Sequence, residues 1–112
     1  MLSLMRGNIV SNGLKGKAEA SVYDWGEPRP AGLPEHPQTI LAADCVYFEP
    51  AFPLLLKTLQ DIIGPETTCY FCFKRRRRAD LHFIKALKRQ FDVVAATDDP
   101  DQPAYARQNI FV

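Results

Sequence analysis

Apolar residues recur at helical spacing in three stretches of this chain and form short continuous runs in several others. From Phe52 to Ile63 the positions Phe52, Leu55, Leu56, Leu59, Ile62 and Ile63 trace one helical face, entered through Pro50 and Pro53 and stopped by Gly64-Pro65. A second stripe, Leu81, Ile84, Leu87 and Phe91, predicts a helix after the basic run 74–78, with Lys85, Lys88 and Arg89 mostly on its other sides. Leu2 to Val10 predicts a shorter helix with Leu2, Met5, Ile9 and Val10 on one side, ended by Asn12-Gly13. Thr39 to Asp44 and Thr67 to Phe73 have the unbroken apolar character of strands buried on both faces, as in a parallel sheet. Glu19 to Trp25 alternates instead: Ala20, Val22 and Asp24 fall on one face, Ser21, Tyr23 and Trp25 on the other, which predicts another strand.

The stretch between these two strands, residues 26–37, holds four of the nine prolines and reads as a loop. Near the C-terminus, residues 92–97 read as a strand, 98–106 as a loop and 107–112 as a final strand. Strands alternating with helices predict an α/β protein with a mostly parallel sheet, and 112 residues leave room for one domain. Glycine-rich turns of the GxGxxG or GxxxxGK[ST] type do not occur.

Composition narrows the partners. With 14 basic and 13 acidic residues the net charge is +1, so no global field favours nucleic acid, membrane or a strongly acidic partner. The stretch 1–10 is too short and interrupted for a signal peptide, and no apolar run approaches the roughly 18 residues of a membrane helix. Three cysteines in apolar sequence, Cys45, Cys69 and Cys72, read as buried reduced thiols, which points to the cytosol or nucleus.

Four features could carry chemistry. Cys69 and Cys72 form a CxxC, but three residues apart on a strand they point to opposite faces, and with His36 and His82 isolated no metal site is expected. The run Lys74 to Arg78 is either a solvated turn leading into a helix with Asp80 in its first turn, or a docking patch for an acidic surface. Asp24-Trp25 is either part of a ligand crevice or an indole closing the sheet edge. Asp44 and Tyr47 are the strongest pair. Asp44 lies at the carboxyl end of a strand, where α/β sheets bind ligands, and a tight turn over 44–47 would bring carboxylate and phenol to one small polar or cationic group. The alternative is an Asp capping a turn and a Tyr packed on the following helix.

AADCVY, the helical LLLKTL behind it and CYFCFKRRRRADLHFIKALKRQFDV together resemble the seven-strand, class I protein-lysine methyltransferases of methyltransferase family 16. They are especially similar to the fungal branch that acts on translation elongation factor 1-alpha. The family's acid-x-x-aromatic signature, placed after its fourth strand, matches Asp44-Cys45-Val46-Tyr47. NIVSN, a strand ending in DWG and the eighteen residues from Trp25 to Ala43 also resemble the family's pattern.

The resemblance implies methyl transfer from S-adenosylmethionine to a lysine nitrogen, by a cytoplasmic and monomeric enzyme with a protein substrate, elongation factor 1-alpha, and no direct nucleic-acid or membrane partner. It places Trp25 and Ala43 against the cofactor and Asp44 and Tyr47 along the lysine channel as the catalytic pair. In the family's strand order 3-2-1-4-5-7-6 the chain would supply the equivalents of strands 3 to 7 of a Rossmann-like sheet with flanking helices. The first two strands would be lacking. Residues 1–112 would then be the C-terminal part of a single methyltransferase domain, a truncated form with an incomplete cofactor pocket and uncertain activity alone. A second reading is a non-catalytic interaction module derived from a methyltransferase and docking through residues 74–78.

Overall fold

Two apolar strands separated by one amphipathic helix are the minimal unit of a parallel pair, because the chain must cross over to run in the same direction again. The computed structural model, which describes residues 1–112, contains that unit. Strand β1 (Thr39–Ala43) leads through a 3-10 turn (Glu49–Ala51) into helix α2 (Phe52–Ile62) and then β2 (Thr68–Lys74), with helix α1 (Leu2–Ser11) upstream. Downstream lie α3 (Arg78–Gln90), the short α4 (Gln102–Ala106) and β3 (Ile110–Phe111). The sheet order is β1-β2-β3, with β1 parallel to β2 in the register Thr39↔Thr68 to Ala43↔Cys72. β3 is antiparallel to β2 through Phe73↔Phe111 and Lys74↔Ile110, so the sheet is mixed. The result is an α/β arrangement of three strands with flanking helices.

One face of this sheet is packed and the other is open. Val46, Phe52, Leu55, Leu59, Phe73, Phe83 and Leu87 form the buried core, with Cys69, Phe71, Leu56 and Ile84 packed against it. The register puts Ile40 and Ala42 on the same side as Cys69 and Phe71. Leu41 and Tyr70 share the other side and are 80% and 54% exposed. The expectation that both strands are buried on both faces is therefore corrected: α2 and α3 supply the core on one face, and β1 alternates between exposed and half-buried positions.

Three further expectations change. Residues 19–25 form no strand, because the segment meets no neighbouring edge and Trp25 turns onto the α2 side of the molecule instead. Residues 92–97 are also irregular, tied to the C-terminus by a bond from the Ala96 N–H to the Val112 carbonyl (3.1 Å). The expected loop 98–106 contains α4, which begins with Pro103 in its first turn. Helix α1 forms as expected but buries no residue, and Met5 and Val10 on its apolar side stay exposed. No helix is long and apolar enough to cross a membrane.

Candidate functional site

The carboxyl end of β1 is built by three constraints. The Asp44 N–H donates to the Cys72 carbonyl (3.0 Å), one rung beyond the strand. Asp44 itself has φ +57°, left-handed backbone that Asp and Asn tolerate better than most side chains, and the chain turns away from the sheet there. Val46 then inserts into the core with no exposed surface. Asp44 and Tyr47 are thus left facing solvent on either side of a buried anchor. The segment is a bend at Asp44, without the hydrogen-bonded tight turn expected over 44–47.

The basic run bonds to both ends of the Asp44–Tyr47 segment. Arg76 Nη2 donates to Asp44 Oδ1 at 3.0 Å, an ion pair between side chains 42% and 71% exposed. Arg77 donates from Nη2 to the Tyr47 carbonyl. Both arginines are placed by Asp80, which has no exposed surface. Its Oδ2 accepts the backbone N–H groups of Arg76 (2.9 Å) and Arg77 (3.1 Å), while Arg77 Nε lies 3.5 Å from Oδ1 in an ion pair without hydrogen-bond geometry. A carboxylate in the first turn of α3 is also favoured by the helix dipole. Residues 74–78 are therefore more than a solvated turn: two of the five cations hold the ends of the Asp44–Tyr47 segment.

Trp25 reaches the core from the loop side. The Gly26 N–H donates to Thr58 Oγ1 (2.8 Å) and Lys57 Nζ donates to the Gly26 carbonyl (2.9 Å), which fastens the Trp25-Gly26 turn to α2. Gly26 has φ +85°, and a Cβ there would stand 2.7 Å from Leu54 Cδ2, so the close approach needs glycine. Trp25 is half-buried against the core cluster, and Ala43 is exposed at the end of β1 on the open face, paired with Cys72. Trp25 sits in this turn and not at a strand end.

The surroundings of Cys45 and Cys69 disfavour the thiolate. All three are free and half-buried. Burial, and secondarily the Asp44 carboxylate, pushes the Cys45 thiol up, and burial together with Cys45 does the same to Cys69, so both stay protonated at neutral pH. A shallow depression lined by His36, Gln38, Gly64 and Thr67 lies at the opposite, amino end of β1 and β2.

A profile of the lysine methyltransferase family matches residues 1–90. The chain belongs to that family. Among curated lysine methyltransferases, it is 38% identical over 109 residues to protein-lysine N-methyltransferase EFM6 of Saccharomyces cerevisiae, covering 88% of this chain and 44% of that protein. It is 36% identical over 88 residues to EEF1A lysine methyltransferase 3 of Mus musculus, covering 77% and 38%. Protein N-lysine methyltransferase METTL21A of Mus musculus matches at 27% over 107 residues, 93% of this chain and 49% of that protein. The chain thus spans less than half the length of these lysine methyltransferase relatives.

Val46, Arg76, Arg77 and Asp80 shape the site and were not among the residues singled out for it from sequence. A signal for the arginines did exist. If ligands bind at the carboxyl ends of parallel strands, the residues that follow β2 lie beside those that follow β1, so 74–77 belong next to Asp44.

Proposed function

We propose that this chain carries the lysine-facing part of a protein-lysine N-methyltransferase that uses S-adenosylmethionine and acts on translation elongation factor 1-alpha. The observation that carries this reading is the exposed Asp44 carboxylate at the carboxyl end of β1, with Tyr47 beyond a buried anchor, in a lysine methyltransferase chain. The names of two relatives, which specify EEF1A in one case and protein lysine in the other, support the substrate. In this reading β1, β2 and β3 correspond to the fourth, fifth and seventh strands of the family order, which their observed adjacency supports. Residues 1–112 act as the C-terminal part of one cytoplasmic domain.

Each residue has a physical task. A lysine ammonium, with a pKa of ~10.4, must be held and then give its proton to solvent water before its nitrogen becomes a nucleophile. Asp44 accepts a charge-assisted hydrogen bond from that ammonium and aligns it. Tyr47 offers its ring face or hydroxyl to the same group. Trp25 and Ala43 are the cofactor-side candidates by resemblance, but the fold sets them apart, the half-buried indole on the α2 side and the Ala43 methyl on the open face, and neither offers a carboxylate to accept from the ribose hydroxyls. The cofactor, when bound, supplies a methyl group activated on a sulfonium.

The expected result is that the protein carrying this sequence transfers labelled methyl from S-adenosylmethionine to elongation factor 1-alpha, and that Asp44→Asn lowers kcat/KM by about 10- to 100-fold. Asn is the informative replacement because it tolerates the left-handed backbone while removing the charge. The unfolding midpoint should barely move, since exposed ion pairs contribute at most ~1 kcal/mol. Absence of labelling, or an Asp44→Asn protein as fast as the wild type, sinks the reading. A non-catalytic docking role for residues 74–78 is the second reading; Arg76 and Arg77 bond to Asp44 and Tyr47, while Lys74, Arg75 and Arg78 are exposed.

A further inference from the structure

We propose that Arg76 is a specificity-determining latch on the lysine site: its guanidinium occupies the Asp44 carboxylate at rest and must swing away before an alkylammonium side chain can be held there. The proposal rests on the reading of Asp44 as the group that holds the substrate ammonium.

The geometry is that of an exchangeable pair. One nitrogen of Arg76 meets one oxygen of Asp44 at 3.0 Å, without the second bond of a fork-to-fork arginine–carboxylate pair. Both side chains are substantially exposed, so water can take over each partner as the contact breaks. The backbone beneath them is fixed. Asp80 Oδ2 holds the Arg76 and Arg77 N–H groups, the Asp44 N–H is bonded to the Cys72 carbonyl, and Val46 is buried in the core. Opening the latch therefore needs only a change of Arg76 side-chain rotamer. Arg77 keeps the far end of the segment in place through the Tyr47 carbonyl.

Competition sets the consequence. A guanidinium held in an exposed pair of ordinary strength occupies the carboxylate more often than not, and an incoming ammonium binds only to the fraction left open. Removing Arg76 should tighten binding of an alkylammonium by about 2- to 6-fold. A residue that merely props Asp44 in position has the opposite signature, because its loss weakens binding.

The test is a titration of the isotopically labelled 112-residue protein with n-butylammonium chloride, which carries the four-carbon stem and ammonium of lysine. Ionic strength is matched with sodium chloride, and the Asp44 and Tyr47 amide resonances are followed. The expected result is a dissociation constant about 2- to 6-fold lower in Arg76→Ala than in the wild type. Arg76→Gln should show the same gain and serves if the alanine variant does not fold. Equal or weaker binding in the Arg76 variants overturns the latch and leaves the role of Asp44 standing. No saturable shift in any protein overturns both.

Discussion

Phe83→Ala is expected to lower stability by about 3–5 kcal/mol, read as a fall in the urea midpoint at unchanged slope. Phe83 is 3% exposed on α3, and its ring centroid lies 5.1 Å from that of Phe52 on α2 and 5.9 Å from that of Phe71 on β2. It is therefore the side chain through which both helices and the sheet meet. Little else can absorb its loss, because only seven apolar residues are buried in the whole chain. Single domains have about 5–15 kcal/mol in total, so a cavity here removes a large share of it. A loss below ~1 kcal/mol would mean that α3 does not pack on β2 through this ring.

Asp80→Ala should cost about 2–4 kcal/mol in the same measurement. The substitution leaves the part-buried Arg76 and Arg77 N–H groups without their acceptor. It also removes the negative charge from the first turn of α3. The Arg77 side chain is 42% exposed and regains water when its partner is lost, which keeps the cost below that of stranding a fully buried charge. Asp80→Asn retains a carbonyl oxygen able to accept both N–H groups and should lose about half as much. If alanine and asparagine at this position cost the same, the two backbone hydrogen bonds are not what Asp80 contributes.

The elements with strong periodicity were legible in the sequence: α2, α3, β1 and β2 lie within a few residues of where the apolar pattern puts them. The failures share a cause. Residues 19–25 and 92–97 have strand-like composition, but strands exist through their neighbours, and neither segment finds a ladder. The continuous apolar character of residues 39–44 suggested burial on both sides, yet periodicity cannot say whether a second layer is present to cover Leu41. On α3 the stripe was read through Leu81, Ile84, Leu87 and Phe91, whereas the deepest positions are Asp80, Phe83 and Leu87. A buried aspartate is invisible to a hydrophobic pattern.

The site was legible only in outline. Residue type and strand-end position singled out Asp44 and Tyr47, but the bond from Arg76 to one and from Arg77 to the other joins residues about thirty positions apart. Only the pairing of β1 with β2 as parallel neighbours puts 74–77 beside Asp44; the individual bonds have no trace in the spacing. The pattern marks Asp80 as a first-turn acid, whereas its role as the clamp for two consecutive N–H groups depends on how the 75–77 backbone folds over it.

The backbone at position 44 also determines which replacements count as mild. Ordinary substitution tables rank glutamate as the gentlest exchange for aspartate, since charge and chemistry are kept. With φ at +57° the order is reversed. Any Cβ crowds the carbonyl oxygen there at a cost of roughly 1–2 kcal/mol, which the short Asp and Asn side chains offset by bonding locally and glutamate does not. Asparagine or glycine keeps the shape and loses the charge, whereas glutamate keeps the charge and strains the shape. Under the proposed role for Asp44, aspartate alone meets both demands.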